Sequence, residues 1–220
     1  MDLDRLRVKV EPSSTALLII DMQKDYCCEG GTFHRRGLDV RPARELASRL
    51  SRFLDLVRPV LPHIVHVKMT KIAAMSSPVS AELYERLGIK RDYDPSYGEF
   101  YEVLPAQGET VIPKYTYSAF FSTYLDQFLR SKVIKTLVIT GVATNICVDT
   151  TARDAFMRGY YVVVPADLTE GTSAEARRQA LLNIDGFYGE VVESSALLSC
   201  WGICPDAFDR PRPTENLHYP

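Results

Sequence analysis

No apolar run in this chain is long enough to cross a bilayer, which argues against a protein anchored by membrane-spanning helices. The opening stretch, MDLDRLRVKVEPSS, is charged and lacks the apolar segment of a secretory signal, so a cytoplasmic location is expected. Lys and Arg are scattered, with no block long enough to form a binding tail. The formal net charge is only −2, so neither nucleic acid nor an anionic membrane is expected as a partner. No internal repeat and no low-complexity tract is present. What the chain does have is an ordinary globular composition, 46% hydrophobic and 25% charged, which sets disorder aside. Its 220 residues suit one sizeable core, so residues 1–220 read as a single domain with a core over about 14–195. In a reducing compartment the five cysteines stay thiols, which suits a catalytic cysteine better than a disulfide framework.

Short apolar, β-branched runs recur at 16–20, 63–69, 110–112, 136–140, 160–164 and 190–192. Continuous runs of this kind predict strands buried on both faces of a parallel sheet. Helical spacing separates them. Over 42–58 an apolar stripe gathers Ala43, Leu46, Ala47, Leu50, Phe53, Leu54 and Val57. A second helix is predicted over 122–130 on Tyr124, Leu125, Phe128 and Leu129, and a third over 173–184 behind a Ser cap. Alternating strands and helices predict a doubly wound α/β sandwich, a mostly parallel six-stranded sheet with helices on both faces. The stretch 71–109, rich in Pro, Tyr and Gly, reads as an excursion over one sheet edge, either a lid or an ordinary connection. The tail over 209–220 reads as an extended arm.

Open parallel sheets bind ligands beyond the carboxyl ends of their strands, and three chemically capable residues stand there. Asp21 ends the first strand, as a general base or as a cap for the following turn. Lys114 follows the 110–112 strand, as a functional cation or a solvated edge charge. In TLVITGVATNICVDTTARDAFMRGYYVVV a buried strand runs into Gly141 and a compact turn. Cys147 then opens a helix whose apolar face is predicted to include Ala152, Ala155 and Phe156. A thiol at a helix N-terminus is stabilised as thiolate, and nearby amides can hold an oxyanion. Alternatively, Cys147 is simply a small buried hydrophobe. Together the three form a credible nucleophilic site, with Asp21 accepting the thiol proton, Lys114 keeping Asp21 ionised and Cys147 attacking.

These residues lie in LLIIDMQKDY, IPKYTYSAFFSTYLDQFLR and ITGVATNICVDTTARDAFMRGY, which resemble the three signature segments of the isochorismatase-like cysteine hydrolases. The resemblance extends over roughly 14–195 and implies an Asp–Lys–Cys triad of Asp21, Lys114 and Cys147. It implies a non-proline cis peptide between Val142 and Ala143, with the Ala143 and Cys147 amides forming the oxyanion hole. It also implies hydrolysis of a C–N bond of a small amide through an acyl-cysteine, with no redox or nucleotide cofactor. A homo-oligomer, dimer or tetramer, is implied as well.

Within the family, Cys147 argues against true isochorismatases, which lack a cysteine at the matching place. Nicotinamidases, the alternative amidase branch, carry a metal site with an Asp-x-His pattern near the second strand's end. The segment here is HVKMTKIAAMSS, so no catalytic metal is expected, and His63 and His66 read as packing or edge residues. KYTYSAFFSTYLDQFLR and LLNIDGFYGEVVES resemble the ureidoacrylate amidohydrolase and N-carbamoyl amidase branch, pointing to a carbamoyl or ureido substrate. Tyr26 and Tyr117 fit that branch; Tyr117 lies against a planar substrate or packs beneath the site. Lys68, Lys71 and Arg35 are candidate carboxylate holders or plain surface charges. Cys27 and Cys28 are placed on the pocket wall, and Cys200 and Cys204 in SCWGIC, with no partner ligands nearby, read as structural thiols. A non-catalytic binding protein or a thiol redox sensor on the same fold is the reading from another class.

Overall fold

The structure is a computed structural model that describes residues 2–72, 77–88 and 94–209; residues 210–220 of the predicted arm lie outside them. Its strands are β1 (Thr15–Ile20), β2 (Ile64–Met69), β3 (Thr110–Lys114), β4 (Thr136–Val142), β5 (Tyr161–Pro165), β6 (Thr169–Glu170) and β7 (Glu190–Val192). The helices are α1 (Leu3–Lys9), α2 (Lys24–Cys27), α3 (Thr32–Arg35), α4 (Arg41–Val57) and α5 (Pro78–Arg86). They continue with α6 (Leu125–Ser131), α7 (Asp149–Met157), α8 (Ala174–Phe187), α9 (Ser194–Cys200) and α10 (Asp206–Asp209). The strand pairings in the sheet are parallel, in the order β3-β2-β1-β4-β5-β7, with β6 pairing β4. The sheet therefore has seven strands rather than six. The extra one, β6, is two residues long, too short for any periodicity to reveal.

Alternation along the central strands builds two core layers. Leu17 and Ile19 of β1 join one layer with α4 residues Leu46, Leu50, Phe53 and Leu54 and α9 residues Leu197 and Leu198. Ala16, Leu18 and Ile20 face the other layer, with Leu125 and Leu129 of α6, Ala152 and Ala155 of α7 and Ile184 of α8. All seven residues of the predicted α4 stripe are buried, and Ser173 caps α8 by accepting the Ala176 amide at 3.2 Å. Two apolar positions behave otherwise. Phe156 is 52% exposed because Thr151, Ala152 and Ala155 take the inner face of α7. Tyr124 is 49% exposed and precedes α6, its hydroxyl donating to the Val111 carbonyl at 2.8 Å. The helix itself begins at Leu125, three residues later than periodicity suggests, since Ser122 has a left-handed φ of 55°.

From the β1–β4 junction the chain winds outward in opposite directions, so right-handed crossovers put α4 on one face and α7 on the other. Such a junction leaves a crevice at the strand ends. Backbone approach there is tight. Gly141, at φ +100°, pairs with Ile20, and a Cβ on it would lie 2.1 Å from the Ile20 carbonyl oxygen.

The excursion is anchored at both ends. Buried Gln23 donates to the carbonyls of Met69 at 3.0 Å and Gly98 at 2.8 Å and accepts the Met69 amide at 2.8 Å. Between these anchors α5 and a 3₁₀ turn over Pro95–Gly98 give part of the excursion regular structure. At its far end Glu109 meets Arg58 Nε at 2.8 Å, His66 Nε2 at 2.7 Å and the Ala106 amide at 2.8 Å. His66 is fully buried, its ring edge-on to Phe100 at 5.6 Å, a packing role as expected. Burial opposes ionisation of Glu109, but Arg58, the Ala106 amide and His66 prevail and lower its carboxyl pKa to about 2. Its stabilising contribution is thus complete above the ordinary glutamate value and is lost as pH falls toward 2. Glu109→Gln is expected to cost about 2 kcal/mol in urea unfolding at neutral pH, because it leaves charged donors poorly satisfied. The deficit relative to wild type should shrink as the pH is lowered toward that value.

Candidate active site

Three strand ends converge in the crevice. Asp21 follows β1 and adopts φ 53°, a left-handed conformation that non-glycine residues occupy at a cost and that recurs at functional sites. Lys114 closes β3 and is fully buried. Cys147 sits in a π-helical turn, Thr144–Val148, between β4 and α7, and only 7% of it is exposed. The Val142–Ala143 peptide just before this turn is cis.

The Lys114 ammonium links the other two. Nζ lies 2.7 Å from Asp21 Oδ2 and 3.3 Å from Cys147 Sγ, and it donates to the Thr116 carbonyl at 3.0 Å. An ammonium has three protons, and three acceptors surround this one. Burial raises the Asp21 pKa above the ordinary aspartate value, with Lys114 opposing. Burial would lower the Lys114 pKa, but Asp21 and Cys147 outweigh it and hold it above the usual lysine value. Burial and then Asp21 push the Cys147 thiol up to about 12, against Lys114. The thiol is therefore neutral at rest, with the Lys114 ammonium beside both it and the Asp21 carboxyl group. A standing thiolate, expected from a helix N-terminus, is disfavoured because burial penalises the charged sulfur more than Lys114 favours it. The π-helical turn also sets Cys147 two residues ahead of α7 itself.

Two tyrosines, Tyr26 and Tyr84, lie close enough to feel the electrostatics of the site. Tyr26 is buried edge-on to Phe33 at 4.9 Å; burial, then Asp21 and Cys147, raise its hydroxyl pKa well above the usual value. Tyr117 is 39% exposed and shares a hydrogen bond with Tyr84 on α5, whose hydroxyl also feels Cys147. Tyr84 is a residue that sequence reasoning missed. Its only signal was a helix-compatible stretch, SAELYER, inside an otherwise irregular segment. The candidate carboxylate holders are engaged elsewhere. Lys68 lies over the Phe100 ring at 5.4 Å, while Lys71 pairs with buried Asp25 and donates to Thr32 Oγ1 at 2.9 Å. Arg35 is exposed on α3.

The other cysteines stand apart from the triad. Cys27 is packed in the α4 core layer, with Cys28, Glu102 and Arg44 nearby, rather than on the pocket wall. Cys28 is half-buried, Cys204 is exposed, and Cys200 Sγ lies 3.8 Å from the Leu3 carbonyl oxygen. Among the described residues no three His, Cys, Asp or Glu side chains come together as a metal cage, and no helix is long and apolar enough to cross a membrane.

Comparison with known proteins agrees with this architecture. A ureidoacrylate amidohydrolase from Yersinia enterocolitica is 33% identical over 214 residues, covering 89% of this chain and 91% of that protein. The crystal structure of a cysteine hydrolase from Pseudomonas syringae pv. phaseolicola superposes with a TM-score of 0.76 at 22% identity, covering 88% of this chain and 95% of that one. An N-carbamoylsarcosine amidase from Thermoplasma acidophilum superposes with a TM-score of 0.64 at 25% identity, covering 82% and 96%. Residues 15–196 match the isochorismatase domain, a span that takes in β1, the Lys114 strand and the Cys147 turn, and the chain belongs to the isochorismatase family of hydrolases.

Proposed function

We propose that this protein is a cysteine-dependent amidohydrolase that cleaves a C–N bond of a small carbamoyl or ureido compound through Cys147. The observation that carries the proposal is the Lys114 ammonium, held 2.7 Å from Asp21 and 3.3 Å from Cys147 in a buried crevice.

The proton inventory suggests the order of events. Cys147 is a thiol at rest, so its proton leaves as Sγ bonds to the substrate carbon, and Asp21 is the adjacent base. Negative charge passes to the substrate oxygen, where the Ala143 and Cys147 amides are the proposed donors. Asp21 returns the proton to the departing nitrogen as the C–N bond breaks, leaving an acyl- or carbamoyl-cysteine. Water then attacks that carbon, again giving its proton to Asp21, and the C–S bond breaks with the proton restored to sulfur. Lys114 stays charged throughout and keeps Asp21 ionised between turns. Tyr26 and Tyr117 are the proposed walls against a planar substrate, consistent with the ureido branch to which the 33%-identical relative belongs.

The test is ammonia release by purified protein on ureidoacrylate, N-carbamoyl amino acids, biuret, nicotinamide and maleamate, each with and without a chelator. The expected result is release from a ureido or carbamoyl substrate, unchanged by chelator. Activity confined to nicotinamide and lost with chelator would replace this reading with the nicotinamidase one. Asp21 must be ionised to act as base, and its pKa is raised, so the acid limb of kcat/KM should fall above the ordinary value of 3.8. A pH–rate profile checks this. An acid limb at or below that value would contradict the assignment.

A further inference from the structure

Three residues on successive turns of one helical run point to a device that none of the comparisons assigns. Cys147, Thr151 and Asp154 follow at intervals of four and three, so they share one face of the run that starts in the π-helical turn and continues as α7. Thr151 Oγ1 accepts the Ala119 amide at 3.1 Å, and both residues are fully buried. Asp154 Oδ2 accepts the Ser118 hydroxyl at 2.7 Å, and Ser118 Oγ in turn accepts the Phe120 amide at 3.1 Å. Asp154 is itself steadied by Arg158 Nε at 2.8 Å. The segment so gripped, 118–120, begins two residues after Thr116, whose carbonyl is the third acceptor of the Lys114 ammonium. The connections close a circuit: Cys147 to α7, α7 to 118–119, back along the chain to the Thr116 carbonyl, to Lys114 Nζ and so to Cys147 Sγ.

We infer that Thr151 and Asp154 are positioning residues: by fixing the 118–120 turn they fix the Thr116 carbonyl, and with it the aim of the Lys114 ammonium at Asp21 and Cys147. The inference rests on the hydrolase reading for its effect on turnover, but the geometry of the thiol can be read without any substrate. Packing alone does not account for the arrangement. Valine would fill the Thr151 site as well, yet it would leave the buried Ala119 amide unpaired. Lys114 lowers the Cys147 pKa against burial, so an ammonium that wanders should leave the thiol harder to ionise.

The experiment compares Thr151→Val, Thr151→Ser, Ser118→Ala and Asp154→Asn with wild type. Each is checked for folding by near-ultraviolet circular dichroism. Two quantities are read: kcat and KM for ammonia release, and the pH dependence of Cys147 alkylation by iodoacetamide, followed on the Cys147 peptide by mass spectrometry. Thr151→Val should lower kcat about tenfold with little change in KM, and slow Cys147 alkylation about tenfold near pH 8. Thr151→Ser, which keeps the hydroxyl, should restore both. Ser118→Ala and Asp154→Asn should shift both readouts in the same direction, and they carry the test if Thr151→Val does not fold. Folded variants with wild-type kcat and a wild-type alkylation profile would overturn the inference. So would a serine variant that falls as far as valine. If wild type hydrolyses none of the panel while the variants still slow alkylation, the hydrolase reading fails and the positioning role stands. If hydrolysis is seen and alkylation does not move, the failure is that of the positioning role alone.

Discussion

Cys147→Ala should abolish ammonia release from any carbamoyl or ureido substrate, on the order of 10⁴-fold or more, while the protein stays folded. The size of the expected loss follows from the geometry. No other cysteine is in contact with the Lys114 ammonium among the described residues: Cys27 lies in the α4 core layer, and Cys28, Cys200 and Cys204 have other surroundings. Asp21 and Lys114 would survive the substitution as an ion pair, but without sulfur there is no covalent intermediate. Removing a small buried thiol should cost little stability, since alanine leaves only a slight gap and no unpaired charge. Residual activity within tenfold of wild type would mean that the attacking group is something else.

Lys114→Met should be damaging in a different way. Lys114 and Asp21 are 0% and 1% exposed at their side chains and 2.7 Å apart, so each is the other's counterion in a dry place. Deleting one partner of a buried pair leaves a bare charge and costs about 3–5 kcal/mol. The cost is expected in urea unfolding, together with loss of turnover to background. The double variant Asp21→Asn/Lys114→Met removes both charges and should regain most of the stability and none of the activity. This pattern separates the pair's structural role from its chemical one, because packing alone would make the two losses add. A Lys114→Met protein as stable as wild type would show that Asp21 is neutral in the folded state, and a base would then have to be sought elsewhere.

The sheet was legible because its central strands are continuous apolar runs, and a run such as ALLII has few uses other than burial on two faces. The α4 stripe was equally legible, since seven apolar residues at helical spacing leave one face to bury. Asp21, Lys114 and Cys147 could be proposed together because the carboxyl ends of neighbouring parallel strands must meet, whatever the side chains do. The protonation state of the thiol was harder to see. It depends on how completely the crevice is buried, which follows from the packing of segments far apart in sequence. Tyr84 and Gln23 were missed for a similar reason. One stands in a helix within an irregular stretch; the other is a polar residue whose worth lies in backbone partners about fifty and seventy-five positions away. Lys68 and Lys71 were conspicuous as cations near a strand end, but the Phe100 ring and the Asp25 carboxylate that engage them lie on other segments. The clamp of Thr151 and Asp154 on 118–120 joins two of the segments that carry the family resemblance, but neither segment reveals the clamp when read alone.

In the proposed mechanism the reacting carbon of the substrate becomes bonded to Cys147 sulfur. This bond is tested most directly by mixing excess enzyme with a ureido substrate labelled at its carbonyl carbon, quenching in acid through a single turnover and mapping the label by peptide mass spectrometry. Label should appear on the Cys147 peptide as the amine is released and leave it as carbamate and its breakdown products form. Complete turnover with the label on another residue, or turnover that persists in Cys147→Ala, would contradict it.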